Sequence, residues 1–133
     1  MLNILVVDAE ARAPQDKIYW RLKQDGHHIQ VARSGKEAME LFKAEEHDVI
    51  LLDMFLPDCM GYEVIPKFRK IKPDIHIISM TAINTRDIES KNRLLGITYY
   101  TSKPCSYTEI SSLINHISRQ IRKEASPDKM ITT

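Results

Sequence analysis

Four polar side chains of the types that carry out phosphoryl transfer follow closely on short apolar runs of the sequence. They are Asp8, Asp53, Thr81 and Lys103. A carboxylate can accept a phosphoryl group or bind a divalent cation, a hydroxyl can hydrogen-bond to phosphoryl oxygens, and an ammonium can neutralise their charge. Each residue alone has a plainer interpretation, because an Asp or Thr after a strand often caps a helix and a Lys there is usually solvated. The four together predict a phosphoryl-transfer site, provided that the fold brings them to one point.

The apolar runs themselves indicate the elements that position these residues. Each run is short and most are rich in Val and Ile, which predicts β-strands rather than helices. The runs cover residues 4–7, 29–32, 49–52, 75–80 and 97–101. The first and third are apolar without alternation, as expected where both faces of a parallel sheet are covered.

The segments between the runs carry the signals of helices. Ser34 followed by Glu37, and Ser106 followed by Glu109, fit capping boxes at helix starts. The last helix shows one apolar stripe: Ile110, Leu113, Ile114, Ile117 and Ile121. Pro66 lacks a backbone N–H, and it predicts that the third helix starts late or kinks there.

The order of elements is therefore β-α repeated five times. Right-handed crossovers between parallel strands give an α/β, flavodoxin-like doubly wound (βα)5 sandwich, with a five-stranded parallel sheet of order 2-1-3-4-5. In that order strands 1 and 3 are neighbours about 4.8 Å apart, so Asp8 and Asp53 can share one divalent cation at the carboxyl edge. We expect one domain over residues 1–123, with a C-terminal tail or the start of a linker over 124–133.

The amino-acid composition limits the classes of protein to which this chain can belong. The chain has 133 residues, of which 43% are hydrophobic and 28% charged, and this suits one globular domain that folds without disulfides or metals. A net charge of +1 argues against direct nucleic-acid binding. No apolar run approaches the roughly 20 residues of a membrane span, so we expect a cytoplasmic protein with no membrane partner. Cys59 and Cys105 are predicted to be ordinary reduced thiols.

Residues 3 to about 123 resemble the receiver domain of bacterial two-component response regulators. The residues that carry the resemblance are Ile4 to Asp8, Asp48 to Asp53 with Met54, Phe55, Leu56 and Pro57, then Gly61, Thr81 with Ala82, and Tyr100 with Lys103 and Pro104. The resemblance implies that Asp53 accepts a phosphoryl group from a phosphohistidine. The donor would be a sensor histidine kinase or a phosphotransfer protein. The domain would promote its own phosphorylation and dephosphorylation without being an enzyme.

The resemblance also implies roles for the residues around Asp53. Magnesium would be bound by Asp53, by Asp8 and by the backbone carbonyl of Phe55. The Thr81 hydroxyl and the Lys103 ammonium would contact the phosphoryl oxygens. The cofactor expected from the resemblance is therefore Mg²⁺.

A conformational switch is the next implication. Thr81 and Tyr100 would move together and change the face formed by the fourth helix, the fifth strand and the fifth helix. The bond between Lys103 and Pro104 would be cis. A downstream effector, or a fused output domain absent from this chain, would respond to that face, and we expect a monomer or weak dimer.

The sequence departs from the family pattern after the first strand. The family usually has two adjacent acids there, whereas this chain has Asp8, Ala9 and Glu10, so Ala9 replaces the acid expected to ligate the metal directly. Glu10 is offset by one residue in a tight turn, which usually aims a side chain elsewhere. We therefore expect magnesium to bind weakly, since it loses one anionic ligand.

Two alternatives remain open at this point. A pseudo-receiver would keep the scaffold and signal through protein contacts without phosphorylation, which Ala9 favours and which Asp53, Thr81 and Lys103 oppose. The order Asp8-Ala9-Glu10 also loosely resembles the start of haloacid-dehalogenase-type phosphatases, where the first Asp is the nucleophile. That alternative leaves the residues from Asp53 onward unexplained, and 133 residues is short for it.

Overall fold

The computed structural model describes residues 1–10, 17–83, 85–97, 99–103 and 105–124, and within them strands and helices alternate. The strands are β1 (Asn3–Val7), β2 (His28–Ala32), β3 (Val49–Asp53), β4 (His76–Thr81) and β5 (Tyr99–Ser102). The helices are α1 (Lys17–Gln24), α2 (Gly35–Ala44), α3 (Gly61–Ile71), α4 (Arg86–Leu94) and α5 (Tyr107–Glu124).

The strands form one parallel sheet of order β2-β1-β3-β4-β5, which confirms the doubly wound α/β fold predicted from the sequence. β3 is the central strand, between β1 and β4. Because Val7 of β1 pairs with Leu52 of β3, Asp8 and Asp53 leave the two strands at the same edge of the sheet. Thr81 is the last residue of β4 and lies at that edge too.

Alternate residues of the inner strands pack on opposite faces of the sheet. In β1, Leu5 and Val7 belong to a core cluster that includes residues of α2, α3 and α4. Ile4 and Val6 belong to a second cluster, with residues of α1 and α5. All four side chains are fully buried. The absence of alternation in this run therefore follows from helices covering both faces of the sheet.

Two acceptors cap the start of α2. The Ser34 Oγ accepts a hydrogen bond from the Glu37 amide at 3.1 Å, as the sequence predicts. The Asp58 carboxylate, which comes from the loop after β3, accepts from the amides of Gly35 and Lys36 at 2.9 and 3.0 Å. These backbone hydrogen bonds, with Gly35 first, lower the pKa of Asp58. The loop after β3 is thereby tied to α2.

The start of α3 is fixed by its contact with the end of β3. A Cβ added to Gly61 would lie 2.3 Å from the Asp53 carbonyl oxygen and 3.0 Å from the Met54 Cα. The Gly61 amide donates to the Met54 carbonyl at 2.8 Å. Pro66 lies inside the helix, so the expectation of a late start is wrong. Pro66 has no N–H to donate to the carbonyl four residues earlier, and the helix continues through this position.

The last described helix, α5, begins as the sequence predicts. The Ser106 Oγ accepts a hydrogen bond from the Glu109 amide at 3.1 Å. Its fully buried residues are Ile110, Ile114 and Ile117. No helix in the described part of the chain is long and apolar enough to cross a membrane. Beyond Glu124, the expected tail lies outside the described residues, so the domain boundary at 123 stays a prediction.

Candidate functional site

The ammonium of Lys103 lies between the carboxylates of Asp8 and Asp53. Its Nζ is 3.1 Å from Asp8 Oδ2 and 2.9 Å from Asp53 Oδ2. The two aspartate side chains are only 4% and 9% exposed, whereas that of Lys103 is 19% exposed. The strand order thus brings together three residues that are far apart in sequence, in a largely buried arrangement.

Asp53 is held in place by contacts of its carboxylate and of its backbone. Its Oδ1 accepts a hydrogen bond from the Phe55 amide at 3.0 Å. The same loop closes tightly, because the Leu56 amide donates to the Cys59 carbonyl at 3.1 Å. Gly61 then packs against the Asp53 backbone. The carboxylate therefore has a defined position, with Oδ1 on a backbone donor and Oδ2 on an ammonium.

Asp8 makes more polar contacts than the sequence suggests. Its Oδ1 accepts from the Glu10 amide at 3.0 Å. Its Oδ2 accepts from the Tyr19 hydroxyl at 3.0 Å as well as from Lys103. The sequence analysis assigned no role to Tyr19. The only available signal was that the hydroxyl of a buried tyrosine needs a hydrogen-bond partner. The acceptor of that bond depends on how α1 packs beside β1.

The electrostatics of the site favour a charged lysine. Burial lowers the pKa of Lys103, but the hydrogen bond and the charge of Asp53, followed by those of Asp8, outweigh it. The net effect raises the pKa of Lys103 above its ordinary value. Lys103 therefore stays protonated at neutral pH.

Thr81 lies at the same sheet edge, with its hydroxyl turned to the loop after β4. Thr81 Oγ1 donates to the Ile83 carbonyl at 2.5 Å and accepts from the Ile83 amide at 3.2 Å. Tyr100 is half-buried against the core cluster that contains α4. Burial and then the charge of Glu89 raise the pKa of Tyr100, while a hydrogen bond with Thr81 opposes that rise. The two residues predicted to switch together are thus in contact.

A pocket opens to solvent in front of Asp53. Its described lining residues are Ala9, Glu10, Asp53, Phe55, Ala82, Ile83 and Lys103. Asp8 is not among them, because its carboxylate is turned towards Tyr19 and Lys103. This buried position argues against Asp8 as a nucleophile, the role it would have in the haloacid-dehalogenase-type alternative. Asp53 is the carboxylate that both faces the pocket and contacts the ammonium.

The oxygen donors of this pocket suit a hydrated magnesium ion better than a dehydrated one. Within the described part of the chain, no group of three or more His, Cys, Asp or Glu side chains could hold a metal ion. Magnesium keeps several waters and often binds through only one or two carboxylates. Asp53 and Glu10 line the pocket together with Phe55, and the two carboxylates fit such an ion. The side chain of Ala9 adds no oxygen ligand, and the weak binding expected from the sequence stays a prediction.

The loop after β5 is anchored to the neighbouring strand. The Lys103 amide donates to the Thr81 carbonyl at 2.7 Å. The Thr101 hydroxyl donates to the Glu109 carboxylate of α5. Both contacts fix the backbone from which the Lys103 side chain reaches the aspartates. The predicted cis bond involves Pro104, which lies outside the described residues.

Comparisons with known proteins agree with this architecture. The chain matches the sequence model of the family described as "Response regulator receiver domain" over residues 4–115. It is 32% identical over 131 residues to a probable transcriptional regulator, ycf27, of Guillardia theta, covering 98% of this chain and 51% of that protein. The chain therefore spans about half the length of this curated relative.

Solved structures show the same fold. A response regulator receiver domain protein from Clostridium thermocellum is 27% identical with a TM-score of 0.81, over 92% of this chain and 98% of that one. A CheY-like receiver domain protein from Methanospirillum hungatei has a TM-score of 0.83 at 24% identity, over 91% of this chain and 97% of that one. At that lower identity the likeness concerns the fold alone.

Proposed function

This chain belongs to the family of response regulator receiver domains, and we propose that it accepts a phosphoryl group on Asp53 from a phosphohistidine of a sensor histidine kinase or phosphotransfer protein. The observation that carries the proposal is the 2.9 Å contact between Lys103 Nζ and Asp53 Oδ2 at the base of a solvent-open pocket. No other described carboxylate combines that ammonium contact with a place in the pocket.

The chemistry follows from these positions. A carboxylate oxygen of Asp53 attacks phosphorus, the phosphorus–nitrogen bond of the phosphohistidine breaks, and the imidazole leaves with its electron pair. The ammonium of Lys103 neutralises part of the charge on the phosphoryl oxygens. The Phe55 amide keeps the acceptor carboxylate in a fixed orientation. Asp53 thus meets the phosphoryl donor in a prepared position, which lowers the entropic cost of the reaction.

The proposal includes magnesium at the same pocket. Asp53 would bind it directly, together with the Phe55 carbonyl, while Asp8 would act through water and Glu10 would contribute where its side chain reaches. Bound there, magnesium offsets the negative charge that phosphorylation concentrates beside Asp8 and Asp53. Its affinity is low because Ala9 contributes no ligand.

The output of the domain is also a proposal. When Asp53 is phosphorylated, the Thr81 hydroxyl leaves Ile83 for a phosphoryl oxygen, Tyr100 changes rotamer, and the face of α4, β5 and α5 changes. That face binds a downstream effector or a fused output domain, and the relative from Guillardia theta carries the name of a transcriptional regulator. We propose that the domain itself acts in the cytoplasm as a monomer or weak dimer, and does not bind DNA directly.

Phosphorylation by a small phosphodonor tests the function. The protein is incubated with acetyl phosphate over a range of magnesium concentrations, and its intact mass is measured. One added phosphoryl group is expected in the unmodified chain and none in Asp53→Asn. Label that persists in Asp53→Asn would move the acceptor to another residue, with Asp8 the first to examine.

A pseudo-receiver is the second candidate, and one observation favours it. Ala9 stands where an acid is usual, and no three-acid cluster exists within the described residues. Such a domain would bind its partner equally well with or without a phosphodonor. An absence of phosphorylation at saturating magnesium, in both the unmodified chain and Ala9→Asp, would favour this candidate over the phosphoacceptor.

A further inference from the structure

Tyr19 connects α1 to the site from the side opposite the pocket. Tyr19 is 6% exposed and packs in the core cluster shared by α1 and α5, and its hydroxyl donates to Asp8 Oδ2 at 3.0 Å. We propose that Tyr19 is a positioning residue that holds Asp8 as the counter-ion of Lys103 and keeps it from turning to a metal ion in the pocket. The inference rests on the proposed function, because it concerns the magnesium site of Asp53.

The hydrogen bonds of Asp8 give the first argument. Tyr19 and Lys103 both donate to its Oδ2, and the Glu10 amide donates to its Oδ1. A carboxylate offers about four lone-pair sites, so three of them are already in use. Asp53, by contrast, has one donor on each oxygen and lines the pocket. Asp8 therefore has at most one acceptor site left for an ion or its water, and a second one only when a donor is lost.

The second argument is the rigidity of the donor. Core packing fixes the ring of Tyr19, so little side-chain entropy is lost when its hydroxyl meets Asp8. A hydrogen bond to a buried charged group is stronger than one between neutral groups. Tyr19 therefore keeps the Asp8 carboxylate oriented towards Lys103. Because the side chain of Ala9 has no oxygen, the orientation of Asp8 decides whether a second carboxylate can help to bind magnesium.

Removing only the hydroxyl tests the inference. In Tyr19→Phe the ring still fills the core. Asp8 loses one hydrogen-bond donor, so one lone pair of its carboxylate becomes free and its negative charge has one stabilising contact fewer. Both changes favour a cation, so magnesium should bind about tenfold more tightly, the lower limit expected for a hydrogen bond to a charged group. Affinity is read from amide NMR shifts of Glu10 and Phe55, since these N–H groups donate to Asp8 and Asp53 respectively.

Two further variants separate positioning from general packing. Tyr107 also donates its hydroxyl to an aspartate, Asp25 at the end of α1, away from the pocket. Tyr107→Phe should leave magnesium affinity unchanged. In an Asp8→Ala background, Tyr19→Phe should also have no effect on affinity, because the proposed influence acts through Asp8.

Each other outcome overturns the inference. If Tyr19→Phe binds magnesium no more tightly than the unmodified chain, or if neither protein shows saturable binding, Tyr19 has no positioning role. An equal gain in Tyr107→Phe, or a gain that persists without Asp8, assigns the effect to helix packing. The titration needs no phosphodonor, so a failure of acetyl phosphate to label Asp53 would contradict the proposed function and leave this result standing.

Discussion

Replacing Lys103 by Met removes the only positive charge in contact with both site aspartates in the described structure. The ammonium lies 3.1 Å from Asp8 and 2.9 Å from Asp53, and all three side chains are largely buried. Removing one partner of a buried ion pair costs about 3–5 kcal/mol, because the remaining charge loses its compensation. Since Lys103 keeps 19% exposure, we expect the lower end, a loss of about 3 kcal/mol in the free energy of unfolding. A domain of ordinary stability, about 5–15 kcal/mol, still folds after that loss.

Urea unfolding followed by far-ultraviolet circular dichroism measures the effect. The midpoint should fall by about 1–3 M urea for a protein of this size. Adding Asp8→Asn to Lys103→Met should restore part of the loss, since only one carboxylate then remains charged. The matched control is Lys91→Met, which breaks an exposed ion pair with Asp87 and should change little. If Lys103→Met costs no more than Lys91→Met, the bridging ammonium does not stabilise the fold and the electrostatic argument is wrong.

Three other predictions follow from the same structure. Ala9→Asp should tighten magnesium binding, measured by NMR titration, and speed phosphorylation of Asp53, measured by intact mass. Equal magnesium affinity in Ala9→Asp and the unmodified chain would mean that Glu10 already supplies the ligand. Burial lowers the pKa of His47 below its ordinary value, so the folded state binds fewer protons than the unfolded one. Stability should therefore fall as pH drops below about 6.5, a loss that urea unfolding should show to be smaller in His47→Gln. Gly61→Ala should lower the free energy of unfolding in urea by about 1–3 kcal/mol and slow phosphorylation, because the new Cβ would clash with the Asp53 backbone. An unchanged phosphorylation rate would show that the loop adapts to the new Cβ.

The sequence alone determined the fold and the residues that meet at the sheet edge. Unbroken apolar runs such as residues 49–52 predicted strands covered on both faces, and the regular β-α order left few topologies. Once strands 1 and 3 are neighbours, Asp8 and Asp53 must lie side by side, and the last strand brings Lys103 to the same edge. These inferences depend on local patterns and on rules that hold for every parallel sheet.

Only the tertiary structure decided which hydrogen-bond partner each polar group has. The Tyr19 hydroxyl bonds to Asp8, and the Asp58 carboxylate caps α2, 22 or more residues away in sequence. Pro66 lies inside a helix whose first residue, Gly61, packs closely on the end of β3. Such contacts depend on the distances between helices and sheet to within a fraction of an ångström. Those distances come from the packing of the whole core, which no local pattern in the sequence encodes.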